Sequence, residues 1–178
     1  MGAEAIKKIV VVGAGVMGHG IAQVCAMRGY EVVLIDIKDE ILQKAMEKIK
    51  WSLNKFVEKK RIRPEHAEAA LARIKPTTTY EGYVEDADFA IEAVVERMDV
   101  KKLVFSKLDQ LMPEHAILTS NTSSLSITEM GRATNRPEKV AGMHFFNPPQ
   151  LMQLIEVIKG EDTSDETIQT VMELARKL

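Results

Sequence analysis

The chain has 178 residues, the size of one ordinary domain with room for a substantial core. Its composition, 46 % hydrophobic and 28 % charged with a net charge of −2, is that of a folded globular protein and argues against disorder and against a general nucleic-acid binder. One cysteine excludes a disulfide framework and a cysteine zinc cluster, no apolar run reaches the roughly 18 residues of a membrane span, and the N-terminus lacks the basic-then-apolar order of a secretion signal, so a cytoplasmic protein with no metal, no membrane and no nucleic-acid partner is expected.

Ile9-Val10-Val11-Val12 is a β-branched run without a polar face, which predicts a strand covered on both sides, as in a parallel sheet. Gly13-Ala14-Gly15-Val16-Met17-Gly18 follows at once, then apolar residues at helical grouping to Met27, a glycine stop at Gly29, and a second buried strand, Glu31 to Ile35, ending in Asp36. A helix over residues 39–60 carries an apolar stripe of Ile41, Leu42, Ala45, Ile49, Leu53 and Phe56. Its other faces are basic: from Lys38 to Arg63 nine Lys and Arg stand against four Asp and Glu, a net of +5. Pro64 opens a short helix, and Ile74–Thr79 reads as a strand.

In the second half, Phe89–Val94 reads as a strand and 98–111 as a helix with Val100, Leu103, Val104, Leu108 and Leu111 on its inner side. Ala116–Ser120, Val140–Phe145 and Leu154–Ile158 read as further strands, with one helical turn from Ser126 to Met130. Thr163 and Glu166 have capping-box spacing before a last helix whose inner face is Ile168, Val171, Met172, Ala175 and Leu178. Strands alternating with helices indicate an open α/β sheet.

Gly13-x-Gly15-x-x-Gly18 has a physical reason at each glycine: a tight turn, close approach of the backbone to a pyrophosphate, and close packing of helix on strand. The pyrophosphate rests on unpaired N–H groups at the helix start. Asp36, at the end of the second strand, is placed to accept from the ribose hydroxyls and to repel a 2′-phosphate, which favours NAD over NADP; Lys38 nearby is the group that would weaken that preference. Three more polar segments follow strands: Ser120–Ser124, His144–Pro149, and Glu156 within an apolar run that implies partial burial. Imidazole titrates near neutrality, so His144 suits a general base that removes a hydroxyl proton as hydride leaves. Glu156 would fix its tautomer, and Ser123 would donate to the substrate oxygen. The plain readings are a structural histidine, a solvent-facing strand glutamate and a Ser/Asn turn, and spacing alone does not choose between the two sets.

On these residues the chain resembles the NAD-binding domain of the 3-hydroxyacyl-CoA dehydrogenase family, from about Lys8 to Ile158 and on into the last helix. The segments 13–22, Ala90–Glu96, Ser120–Leu125 and His144–Pro149, with Glu156 twelve residues after His144, carry the resemblance. It implies a Rossmann-type, doubly wound, mostly parallel sheet with helices on both faces, occupying 1–178 as one domain. It further implies His144 as catalytic base, Glu156 as its partner, and Ser123 as the residue that meets both substrate and cofactor. NAD would be held by Gly13, Ala14, Gly15, Val16, Met17, Gly18, Asp36, Ala93, Glu96, Lys101, Ser123 and Asn147, and coenzyme A by Ser52, Lys59 and Ser123. The basic helix agrees with a phosphate-rich ligand. The activity implied is oxidation of (3S)-3-hydroxyacyl-CoA to 3-ketoacyl-CoA, in fatty acid β-oxidation or butanoate metabolism. The family carries a helical second domain that forms most of a homodimer interface, so this chain is expected to be the first domain of a two-domain enzyme, binding NAD with weak or no turnover alone. A non-catalytic, crystallin-like dinucleotide module is the alternative, and a related hydroxyacid dehydrogenase that uses lysine in place of His144 is a third reading.

Overall fold

A computed structural model describes residues 2–178. Its strands are β1 (Lys8–Val12), β2 (Glu31–Ile35), β3 (Ile74–Thr77), β4 (Phe89–Glu92), β5 (Ile117–Ser120), β6 (Val140–Phe145) and β7 (Ile155–Ile158), and its helices α1 (Val16–Met27), α2 (Asp39–Glu58), α3 (Pro64–Ala72), α4 (Met98–Leu111), α5 (Ile127–Arg132) and α6 (Asp165–Lys177). The strands form one sheet in the order β3-β2-β1-β4-β5-β6-β7. All neighbours are parallel except the last pair, β6 and β7, which are antiparallel. The order reverses between β1 and β4, the point at which a doubly wound sheet opens a crevice for a ligand.

Strand alternation builds two core layers. Ile9, Val11, Val32, Leu34, Phe89 and Ile91 face α1, α2, α3 and α6, while Val10, Val12, Val33, Ile35 and Ala90 face α4 and α5. Each fully buried Val, Leu, Ile or Phe contributes about 1.5–3 kcal/mol, which explains why the central strands carry almost no polar residues. Pro76 cannot donate to a ladder, and it sits where that costs least, on the edge strand β3. On the α4–β5 side, Arg136 pairs with Asp109 at 2.7 Å and donates to the carbonyls of Asp109, Met112, Pro113 and Ala116, closing the loops at the far end of the sheet.

Four local expectations are corrected. Leu103 is 72 % exposed, and Lys101 and Phe105 take the inner face of α4 instead. Position 101 lies over the strand ends where a carboxylate waits, so a charged residue is buried and an apolar one left outside. Strand β3 stops at Thr77, where the chain turns back on a hydrogen bond from the Thr79 N–H to the Thr77 hydroxyl. The cap of α6 is Ser164, which accepts from the Thr167 N–H at 3.1 Å, while Thr163 is buried and donates to the Val140 carbonyl. Met172 is exposed, and Thr167, Thr170, Val171 and Leu174 form the buried face of that helix.

Candidate active site

A cleft of about 770 Å³ opens at the carboxyl ends of the strands, between the glycine turn and the loops after β4, β5 and β6. At one end, Gly13 adopts φ of 102°, and a Cβ there would lie 2.5 Å from the Ala93 carbonyl oxygen, so the turn out of β1 requires glycine. Gly18 packs α1 against the Gly13 carbonyl, leaving no space for a side chain. Gly15 differs: nothing lies within 4 Å of where its Cβ would stand, so the space beside its backbone opens into the cleft. Helix α1 starts there without a side-chain cap, which leaves its first N–H groups for an anion. Val16 and Met17 line the cleft at the same end, and the Ala93 N–H, on the far lip, donates to the Val12 carbonyl.

Asp36 is held in place by its neighbours' backbone. Its Oδ2 accepts the Ala14 N–H at 2.7 Å and its Oδ1 the Ile37 N–H at 2.6 Å. The carboxylate keeps free lone pairs for a diol. Lys38 does not line the cleft, and Lys101, the only Lys or Arg among the described residues that does, is paired with Glu92. Tyr80, unforeseen from the sequence, lines this end; burial, and then the charges of Asp36 and Glu92, push its phenol up to about 12, so it stays a neutral donor. These features fit a dinucleotide with an unphosphorylated ribose.

At the other end, His144 and Glu156 are direct partners across the antiparallel β6–β7 pair, which is why they stand twelve residues apart. His144 Nδ1 lies 3.1 Å from Glu156 Oε1, so an Nδ1–H donates to the carboxylate and leaves Nε2 as the basic atom. The Phe146 ring packs on the imidazole at 4.8 Å between centroids. His144, Ser123 and Asn147 all line the cleft. Glu156 corrects an expectation: its side chain is 57 % exposed, because β7 is the edge strand with no neighbour beyond it.

Between the two ends lies a closed ring of side chains. Glu92, at the end of β4, is 0 % exposed; its Oε2 accepts from Lys101 Nζ at 2.6 Å and from the Val94 N–H at 2.7 Å, and its Oε1 accepts the Ser120 hydroxyl at 2.5 Å. Ser120 Oγ accepts the Thr122 N–H, and the Thr122 hydroxyl donates to Glu96 at 2.8 Å. Lys101 Nζ closes the ring at 3.2 Å from Glu96. Burial raises the Glu96 carboxyl, but the Thr122 and Lys101 hydrogen bonds outweigh it and hold the group below its ordinary value. The Ser123 N–H points at the same carboxylate from 3.4 Å. Asn121 carries the ring to the base, since its Oδ1 accepts the N–H of Phe145, next to His144. Glu92 and Ser120 lie in two of the sequence segments named above, Ala90–Glu96 and Ser120–Ser124, but neither was given a site role; the signal for Glu92 was a lone acid inside an apolar strand.

Ser52 and Lys59 stand apart from the cleft. Ser52 is 9 % exposed and accepts from Gln23 Nε2 at 2.9 Å, while Lys59 is exposed at the end of α2.

Residues 8–178 match the family described as 3-hydroxyacyl-CoA dehydrogenase, NAD binding domain. The chain is 43 % identical over 177 residues to the fatty acid oxidation complex subunit alpha of Acinetobacter baumannii, covering 99 % of this chain and 24 % of that protein. It is 44 % identical over 173 residues to a probable 3-hydroxybutyryl-CoA dehydrogenase of Bacillus subtilis, covering 97 % of this chain and 60 % of that one. The solved structure of (S)-3-hydroxybutyryl-CoA dehydrogenase from Ralstonia eutropha superposes with a TM-score of 0.93 at 40 % identity, over 97 % of this chain and 61 % of the other. The chain thus spans between a quarter and three fifths of the length of these relatives. With its glycine turn, the acid at the end of β2 and its fold in agreement, the chain belongs to the NAD-binding domain family of the 3-hydroxyacyl-CoA dehydrogenases.

Proposed function

We propose that the full-length protein is an NAD-dependent 3-hydroxyacyl-CoA dehydrogenase, oxidising the 3-hydroxyl of a (3S)-3-hydroxyacyl-CoA to the 3-ketone. The observation that carries this reading is the His144–Glu156 pair, 3.1 Å apart, opening onto the cleft that starts at the glycine turn. Bound NAD⁺ supplies the hydride acceptor. His144 Nε2 takes the hydroxyl proton, and Glu156 steadies the imidazolium that results. Ser123 hydrogen-bonds the substrate oxygen, whose charge grows as the proton leaves. Gly13 to Gly18 and Asp36 would hold the pyrophosphate and adenosine ribose, and Ala93, Glu96, Lys101 and Asn147, which line the same cleft, would meet the nicotinamide side.

Ser52 and Lys59 belong to this reading as contacts for coenzyme A outside the cleft. The net charge of +5 between Lys38 and Arg63 supports them, since it attracts a phosphate-bearing ligand. A homodimer formed through a further domain, and a cytoplasmic location, are part of the same proposal; the relatives' greater length supports the further domain. The test is to mix the full-length protein with NADH and acetoacetyl-CoA and follow NADH absorbance. Oxidation of NADH is expected. Intact NADH binding without turnover would reject the enzyme in favour of a dinucleotide-binding module.

A further inference from the structure

Glu92, Lys101 and Glu96 form a cluster of two carboxylates and one ammonium, and the partition of the ammonium between the acids is unequal. Glu92 is fully buried and holds Lys101 at 2.6 Å, inside the protein, where the lysine itself is only 1 % exposed. Glu96 receives the same ammonium at 3.2 Å, and its side chain, 44 % exposed, lines the cleft. The cleft therefore meets an incompletely neutralised carboxylate, with Lys101, the only Lys or Arg lining it among the described residues, drawn back behind it. The Ser123 N–H lies 3.4 Å from Glu96, and Ser123 and His144 line the same cleft, so Glu96 stands beside the groups proposed to meet the substrate hydroxyl, where a nicotinamide accepting its hydride would lie.

Oxidised nicotinamide carries a positive charge and reduced nicotinamide carries none. A net negative cluster beside the ring stabilises the oxidised form and is indifferent to the reduced one, and in a partly buried site such a charge is weakly screened. We propose that the Glu92–Lys101–Glu96 cluster biases the site toward NAD⁺ relative to NADH, with Glu92 acting as a positioning residue that keeps Lys101 from neutralising Glu96. This rests on the dinucleotide reading of the cleft and adds a redox preference to it.

Two substitutions make the cluster neutral by different routes. Glu92→Gln frees Lys101 to pair fully with Glu96, and Glu96→Gln leaves Lys101 paired with Glu92. The measurement is the ratio of dissociation constants for NADH and NAD⁺, by fluorescence and calorimetric titration of the full-length protein, with thermal melting as a check on folding. The ratio is expected to fall about threefold or more in both variants, because only the oxidised form loses an attractive charge. A variant that merely loosens the structure weakens both cofactors together and leaves the ratio where it was. An unchanged ratio in either folded variant overturns the proposal. If Glu92→Gln does not fold, Glu96→Gln, whose side chain is half-exposed, decides it alone. Failure of the unsubstituted protein to bind either cofactor would instead reject the dinucleotide reading itself.

Discussion

At the Gly13–Asp36 end of the cleft, the groups offered to a ligand are backbone N–H donors and one carboxylate from a single strand–helix–strand unit, joined by the Tyr80 phenol from the loop after β3. From the middle of the cleft to the His144 end they are side chains drawn from four strands and a helix, β4, β5, β6, β7 and α4, tied together by hydrogen bonds across up to 28 residues of sequence. The first end depends on where the backbone can go. The second depends on which side chains hold one another. A ligand's phosphates need only fixed donors and an open space, whereas proton and hydride transfer need a base, its orienter and a charged wall in register.

The sharpest way to separate the two ends is His144→Gln. It removes the basic atom and leaves the glycine turn untouched, so kcat with acetoacetyl-CoA and NADH should drop about 10²–10⁴-fold, the usual contribution of a positioned general acid–base. The dissociation constant for NADH should stay the same, measured by fluorescence titration; a matching loss of NADH affinity would show that the ends are not independent. Glu156→Gln probes the orienter. Turnover should fall about 10²-fold, as it does when a reacting group is misplaced by an ångström. Stability should barely move, since a contact to a carboxylate this exposed contributes about 0–1 kcal/mol. A normal rate in this variant would mean that strand pairing alone orients His144.

Gly13→Ala attacks the opposite end. Its φ of 102° and the Ala93 carbonyl 2.5 Å from the new methyl group force the turn to shift. The expected cost is about 1–3 kcal/mol, read as a lower melting temperature, with NADH affinity weakened about tenfold. Unchanged affinity in a folded variant would show that the turn holds the fold and not the ligand.

The difference between the ends also explains what the sequence made visible. Gly13, Gly15, Gly18 and Asp36 could be read at once because each answers a backbone or ribose requirement at fixed spacing. The parallel strands were equally legible, because burial on both faces leaves unbroken β-branched runs such as Val10-Val11-Val12. Lys101 and Leu103 were not, since periodicity ranks residues by polarity and a lysine with a buried carboxylate partner behaves as a core residue. Glu156 was read as half-buried because its neighbours are apolar, but nothing local to the sequence said that β7 is antiparallel and has an open edge. The His144–Glu156 spacing becomes intelligible only through that antiparallel register.

A smaller effect distinguishes the side-chain end under acid. Glu96 is held below its ordinary value: burial pushes it up, and the hydrogen bonds from Thr122 and Lys101 more than reverse this. A carboxyl depressed in the folded state contributes stability above its unfolded pKa, and that contribution disappears as the pH falls through the folded value. The window therefore opens below about pH 4.3, the ordinary glutamate value, and not near neutrality. With the side chain 44 % exposed, solvent screening limits the effect to about 1 kcal/mol or less. Melting temperatures of the unsubstituted protein and of Glu96→Gln, compared from pH 6 down to pH 3 in steps of about half a unit, should converge as the pH drops, because protonation removes from the first what substitution has already removed from the second. Parallel curves would mean that the Thr122 and Lys101 bonds carry no weight in the folded state, and the ring would then be a consequence of the loop's shape instead of its cause.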